Sequence, residues 1–153
     1  MHKTFSLNVK IYYEDTDSGG VVYYANYLKY FERARTEALL TIGLSNLKIK
    51  EEFNSLIIVK SCNIEYKKSA YLEDNLTIKS FITSLSKTSF VMDQSIYRDD
   101  LLIVDAKIHL VFVNTISGFT PVSRTIISTK NGDYSLTSLN SLRYNKLNSL
   151  NMK

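Results

Sequence analysis

The sequence is short of the residues that carry metal and redox chemistry. It has one cysteine (Cys62), one proline (Pro121) and two histidines (His2 and His109). A single cysteine excludes an intramolecular disulfide and any cysteine-rich zinc site. Two histidines cannot build a histidine-rich metal centre, so no metal is expected. Any histidine-dependent mechanism would have to use one of these two. Long apolar runs are also missing: they stop at about four residues, as in Leu56 to Val59 and Leu110 to Val113. A membrane-spanning helix needs ~20 such residues, so no transmembrane segment is expected. The start of the chain, Met1-His2-Lys3-Thr4-Phe5-Ser6, has no apolar stretch of the secretory-signal kind. The expected location is the cytoplasm.

What is present is ordinary globular material. The chain has 153 residues, 44% apolar, 22% charged and 12% aromatic, enough for one domain with one core. The net charge of +4 is uneven. Residues 130–153 hold Lys130, Arg143, Lys146 and Lys153 against Asp133, which leaves the remainder close to neutral. The basic character belongs to the tail, and no nucleic-acid partner is expected.

Residues 5–13 alternate, with Phe5, Leu7, Val9, Ile11 and Tyr13 on one side, which predicts a half-buried strand. Glu14-Asp15-Thr16-Asp17-Ser18-Gly19-Gly20 reads as a loop. From Asn26 to Ile42 the period is helical, with Leu28, Phe31, Ala38, Leu39 and Ile42 on one side. Asn26 is a fitting N-cap and Gly43 a fitting stop. After a connecting stretch over 44–55, strands are predicted at about 56–67, 75–85, 88–97 and 101–113. The last two breaks are hairpin-length, so neighbouring strands run antiparallel. The expected class is α+β: one antiparallel five-stranded sheet wrapped around one long helix. A domain over 1–127 is followed by a polar tail, 128–153, with spaced leucines that read as a short helix or a flexible segment.

The densest polar constellation is the loop ahead of the helix. Two glycines there let the backbone turn tightly and approach a ligand closely. Free N–H groups at a helix start favour a developing oxyanion. A carboxylate beside such donors can act as a base on water or as a nucleophile. On the residues alone, an acidic surface loop capping the helix is the commoner explanation.

The run Tyr12-Tyr13-Glu14-Asp15-Thr16-Asp17-Ser18-Gly19-Gly20-Val21-Val22-Tyr23-Tyr24-Ala25-Asn26-Tyr27-Leu28, then Phe31-Glu32-Arg33-Ala34-Arg35-Thr36-Glu37, closely resembles the hotdog-fold acyl-CoA thioesterases. Within them it is similar to the 4-hydroxybenzoyl-CoA thioesterase superfamily, Tol-Pal-associated branch. The likeness extends over roughly residues 5–126, including Ser61-Cys62-Asn63 and Lys87-Thr88-Ser89-Phe90, and leaves the tail outside. It implies a hotdog fold and a homodimer with a sheet continuous across two subunits, often paired into a homotetramer. It implies hydrolysis of an acyl-CoA at the subunit interface, with no cofactor beyond the coenzyme A of the substrate. By position, Asp17 is the implied catalytic carboxylate and the Tyr24 N–H polarises the thioester carbonyl. Gly20 and Glu32 are the further implied substrate-binding residues. Tyr24 stands where this branch usually has His, and the hydroxybenzoyl branch has Tyr. The backbone role is open to any residue but proline.

A thioester carries a good leaving group, so one carboxylate, an oxyanion donor and a water suffice. Whether Asp17 attacks the carbonyl or activates water is not decided by sequence. Asp15 is expected to bind loop N–H groups rather than substrate, and Glu32 to pair with Arg35. For coenzyme A phosphates the candidates are Lys87, Ser89 and Lys60, with Lys67 and Lys68 behind them. His109 falls on the polar side of its strand and is assigned no role. Cys62 is expected to be a small buried group. Acyl-carrier protein is a second candidate carrier. The alternative reading is an acyl-carrier-protein-binding or envelope-associated scaffold with little hydrolase activity. A hotdog hydratase is disfavoured by the scarcity of histidine.

Overall fold

A computed structural model describes residues 4–122 in full and the backbone of 125–128 and 134–137. The described chain forms two compact units. One runs up to Ala38 and adds Val59–Leu85 and Phe90–Leu110; the other comprises Leu39–Ile58, Ser86–Ser89 and the chain from Val111.

The predicted strands are all present. They are β1 (Phe5–Lys10), β2 (Ser55–Tyr66), β3 (Asn75–Leu85), β4 (Ser89–Arg98) and β5 (Leu101–Asn114). They form one curled sheet in the order β1-β3-β4-β5-β2, with β6 (Thr120–Pro121) paired to the end of β5. β1 pairs antiparallel with β3, Phe5 opposite Ser80 and Lys10 opposite Asn75. β3 pairs antiparallel with β4 in a register that slips between Ile82 and Ser84. β7 (Thr125–Ser128) and β8 (Tyr134–Thr137) make a separate antiparallel pair. Of the tail expected over 128–153 as a short helix or flexible segment, Ser128 and Tyr134–Thr137 belong to this strand pair, and the remainder lies outside the described residues.

α1 spans Asn26–Thr41 and ends just before Gly43, as predicted. Its buried face differs from the expected one. Tyr27, Tyr30, Phe31, Ala34 and Ala38 are buried, whereas Leu28 is 43% exposed. The spacing i, i+3, i+4, i+7, i+11 is a helical stripe of the same period, rotated so that Tyr27 and Tyr30 face the core. The stretch expected to be a plain connection contains α2 (Asn46–Phe53). Ser45 caps it by accepting the Lys48 N–H at 2.9 Å, and Asn54 closes it in the left-handed region at φ 48°. Among the described residues no helix is long and apolar enough to cross a membrane.

In the first unit, α1 is fixed to the sheet by polar contacts as well as apolar ones. Ile78, Met92, Ile96, Val104, Ala106 and Ile108 are buried core residues of the strands. Among them sits Gln94, fully buried. Its Nε2 donates to the Phe31 carbonyl at 3.1 Å and to Ser80 Oγ at 2.7 Å. Its Oε1 accepts from Arg35 Nη1 at 2.8 Å. The expected Glu32–Arg35 ion pair is therefore corrected. Glu32 instead accepts the Thr36 hydroxyl at 2.7 Å. The Arg35 charge is met by a neutral amide, and burial lowers its pKa, with the Glu32 carboxylate acting in the opposite sense.

Gln94→Ala removes one group that serves three partners in a dry core. The expected loss is of the order of 2 kcal/mol, since a buried donor or acceptor left unsatisfied costs ~1–3 kcal/mol. Urea unfolding of the variant beside the native protein measures it.

Candidate active site

The loop before α1 is built almost entirely from its own backbone. A 3₁₀ turn at Tyr13–Asp15 follows β1. It is closed by the Tyr12 N–H donating to Asp15 Oδ2 at 2.8 Å and the Asp15 N–H donating to the Tyr12 carbonyl at 3.0 Å. Asp15 is buried and Asp17 is exposed. This matches the expected division, in which Asp15 serves loop N–H groups. The chain then doubles back: Thr16 bridges Val22 antiparallel, and Val21 bridges Tyr71. The Asp17 N–H donates to the Val21 carbonyl at 2.9 Å, and the Gly20 N–H donates to the Asp17 carbonyl at 3.0 Å.

The side chain of Asp17 lies over this turn. Its Oδ1 accepts the Gly19 N–H at 2.8 Å. A Cβ at position 19 would come within 3.1 Å of that oxygen, so Gly19 is there for close approach. Gly20 is needed for its backbone, at φ 74°.

The second leg of the loop leads into α1. The Val22 N–H donates to the Ala70 carbonyl at 2.9 Å, and the Ala70 N–H donates to the Tyr27 hydroxyl at 3.2 Å. The Tyr23 N–H and Asn26 Nδ2 both donate to the Asp15 carbonyl at 2.9 Å. Between them lies Tyr24, half-exposed at 58%, whose N–H has no acceptor among the described residues. The structure thus carries Asp17, Gly20 and Tyr24 on one loop between β1 and α1.

Tyrosine rings continue from this turn along the helix face. Tyr23 meets Tyr24 edge-on at 4.9 Å, Tyr24 meets Tyr66 at 6.1 Å, Tyr66 meets Tyr27 at 5.8 Å, and Tyr27 meets Tyr30 at 6.0 Å. The Tyr24 side chain beside it raises the pKa of Tyr23, and the Asp17 carboxylate adds to the rise. Burial raises Tyr27, which the Ala70 N–H opposes. Burial drives Tyr30 higher still, with the Asp15 carboxylate as the next cause. Sequence reasoning missed this chain of rings because Tyr66 comes from β2, which no local pattern places beside α1.

The remaining candidates are more scattered. Glu32 is exposed on α1 and held by Thr36. Lys60 is exposed on β2. Lys87 is exposed at the tip of the β3–β4 turn in the second unit, where Ser86 and Ser89 bond to each other at 2.8 Å. Cys62 is exposed, not buried as expected, because β2 is the last strand of the sheet and leaves its flank open. Its partial burial raises the thiol pKa, and the nearby Arg35 guanidinium lowers it.

The thioesterase superfamily model matches residues 19–104, more than half of the chain. The acyl-CoA thioesterase YbgC of Haemophilus influenzae is 37% identical over 110 residues, 72% of this chain and 81% of that protein. The acyl-CoA thioester hydrolase YbgC of Escherichia coli O157:H7 is 40% identical over 111 residues, 72% of this chain and 82% of that protein. A solved structure of a probable thioesterase from Bartonella henselae superposes with a TM-score of 0.75 at 31% identity, covering 79% of this chain and 98% of that one. With the curled sheet, the long helix and the acidic turn ahead of it all in place, the chain belongs to the thioesterase superfamily and has the hotdog fold.

Proposed function

We propose that the protein hydrolyses the thioester of an acyl-CoA, converting it and water to the free acid and coenzyme A. One observation carries this reading. One loop holds an exposed carboxylate, Asp17, and, just ahead of the long helix, an N–H without an acceptor among the described residues, Tyr24. The names of the relatives point to the same substrate class.

In this reading the substrate carbonyl oxygen accepts the Tyr24 N–H, where negative charge builds in the transition state. The helix start adds its partial positive charge. Asp17 either takes a proton from water as that water attacks the carbonyl carbon, or attacks the carbon itself and is released by water from a mixed anhydride. In both courses the carbon–sulfur bond breaks and the thiolate leaves with little need of a strong acid. The chemistry requires no metal or separate cofactor. Gly20 gives the loop its turn, and Glu32 borders the acyl group. Lys87, Ser89 and Lys60 are the proposed contacts to coenzyme A. Acyl-carrier protein is the alternative carrier, and the proposed location is the cytoplasm.

The working unit is proposed to be a homodimer, or a homotetramer made of two. β2 supports this: it is twelve residues long, lies at the end of the sheet, and exposes Val59 at 48% and Tyr66 at 45%. An open edge of that length is a pairing surface that proteins ordinarily cover.

Asp17→Asn keeps the shape of the side chain and removes its charge. Across a panel of acyl-CoAs and acyl-carrier proteins, its kcat is expected to fall by about 10²–10⁴. Undiminished turnover would remove Asp17 from the reaction. Gly19→Ala pushes on Asp17 Oδ1 and is expected to lower kcat about tenfold, from misplacement alone. Sedimentation equilibrium is expected to return at least twice the 17.5 kDa chain mass. A monomer at working concentration would count against the shared sheet.

A further inference from the structure

Asn26 opens α1 and is 5% exposed. A polar side chain that deep needs a partner. An asparagine at a helix start ordinarily serves the helix's own N–H groups. Here the amide nitrogen reaches back to the loop, donating to the Asp15 carbonyl at 2.9 Å. That oxygen takes a second donor, the Tyr23 N–H, also at 2.9 Å. The Asn26 N–H donates in turn to the Tyr23 carbonyl at 2.9 Å. Residues 15, 23 and 26 therefore form a closed clasp. Asp15 stands two residues before Asp17, and Tyr23 and Asn26 flank Tyr24.

We propose that Asn26 is a positioning residue for thioester hydrolysis: through the Asp15 carbonyl it sets the separation of the Asp17 carboxylate from the Tyr24 N–H. The proposal rests on the reading of Asp17 and Tyr24 as the reacting pair. The other backbone ties in the loop fix one leg within itself, join the two legs, or anchor a leg to the connection between β2 and β3. The 3₁₀ turn holds the first leg, the Thr16–Val22 bridge joins the legs at their tip, and Ala70 anchors the second. Asn26 Nδ2 ties the backbone of the Asp15 leg to the helix start, while the Asp15 carboxylate faces Tyr30 one turn further along the same helix. Without its donor the Asp15 carbonyl keeps the Tyr23 N–H, so the loop still folds, but its distance from the helix start is no longer held from both sides. A misplacement of ~1 Å between reacting groups can cost about 10²-fold in rate.

Asn26→Asp is the informative variant because its shape is unchanged and its donor depends on pH. The ionised carboxylate repels the Asp15 carbonyl. The protonated carboxyl can donate an O–H to it, and burial favours that neutral form. At about pH 8 kcat is expected to fall 10- to 100-fold with KM within about twofold of the native value. The ratio of variant to native kcat is then expected to climb as the pH falls toward about 5.5. Asn26→Ala, without any donor, should show the same loss of kcat with no recovery. It decides the matter on the split between kcat and KM if the first variant does not fold. Native kcat in both variants, an equal change in KM, or an Asn26→Asp deficit that ignores pH would each overturn the proposal. Asp17→Asn assayed in parallel separates the two readings. If Asp17→Asn is inactive and both Asn26 variants are native-like, only the positioning role falls. If Asp17→Asn is fully active, both fall.

Discussion

A helix lying on a sheet through apolar side chains alone can slide and roll, because hydrophobic contact has no direction. In this chain the buried amide of Gln94 removes that freedom. It binds the carbonyl of Phe31, the guanidinium of Arg35 and the hydroxyl of Ser80, so that α1 has one register over β3 and β4. The placement of the helix start follows from that register, and the Asp15 clasp hangs the acidic turn from the helix start. Layer packing supplies most of the stabilising energy, while a few directional bonds decide where each group stands.

The acidic turn is economical. Its backbone N–H groups at Asp15, Thr16, Asp17, Gly20, Val22 and Tyr23 are all engaged within the loop or with Ala70, and Gly19 is engaged by the Asp17 side chain. Tyr24 is among the few donors of this stretch without an acceptor among the described residues, and it is the one that lies two residues before the helix start. Open donors on rigid frames are suited to charge that appears only transiently, since they need no reorganisation when it does. Asp15 and Asp17 differ by two positions and do opposite work. The buried one spends its carboxylate on the Tyr12 N–H, and the exposed one keeps an oxygen beyond its bond to Gly19. Their environments, set by the turn, separate their roles.

Much of this was legible in the sequence. Strand alternation located all five main strands to within about three residues, because most of them have one buried face and that pattern is local. The acidic loop and the helix boundaries were legible for the same reason: Asn26, Gly43 and the glycine pair are local signals. What stayed hidden depends on partners distant in the chain. Arg35 finds Gln94, 59 residues away, and no helical spacing could name a neutral amide over Glu32, one turn back. Tyr27 and Tyr30 turn inward, where their rings meet edge to face and Tyr27 also meets Tyr66 of β2. Cys62 is exposed because β2 is an edge strand, a property of strand order that alternation does not encode. α2 is the exception, since Ser45 and Asn54 were readable caps around a helix of only eight residues.

The exposure of the acidic turn ties the proposed chemistry to the proposed assembly. Asp17, Gly19, Gly20, Tyr23 and Tyr24 all face solvent on the single chain. A carbonyl polarised by an N–H in water gains little, because water screens the donor and competes for the oxyanion; the same donor in a dry cleft is worth far more. The Tyr23–Tyr24–Tyr66 rings already form an apolar wall on one side of the turn, and Tyr66 belongs to the open edge strand. A second chain laid along that edge would pass beside the same wall and close the other side. In the proposed enzyme, then, subunit pairing does more than cover an exposed strand. It lowers the dielectric around Asp17 and the Tyr24 amide, so that a carboxylate and one backbone donor suffice for hydrolysis.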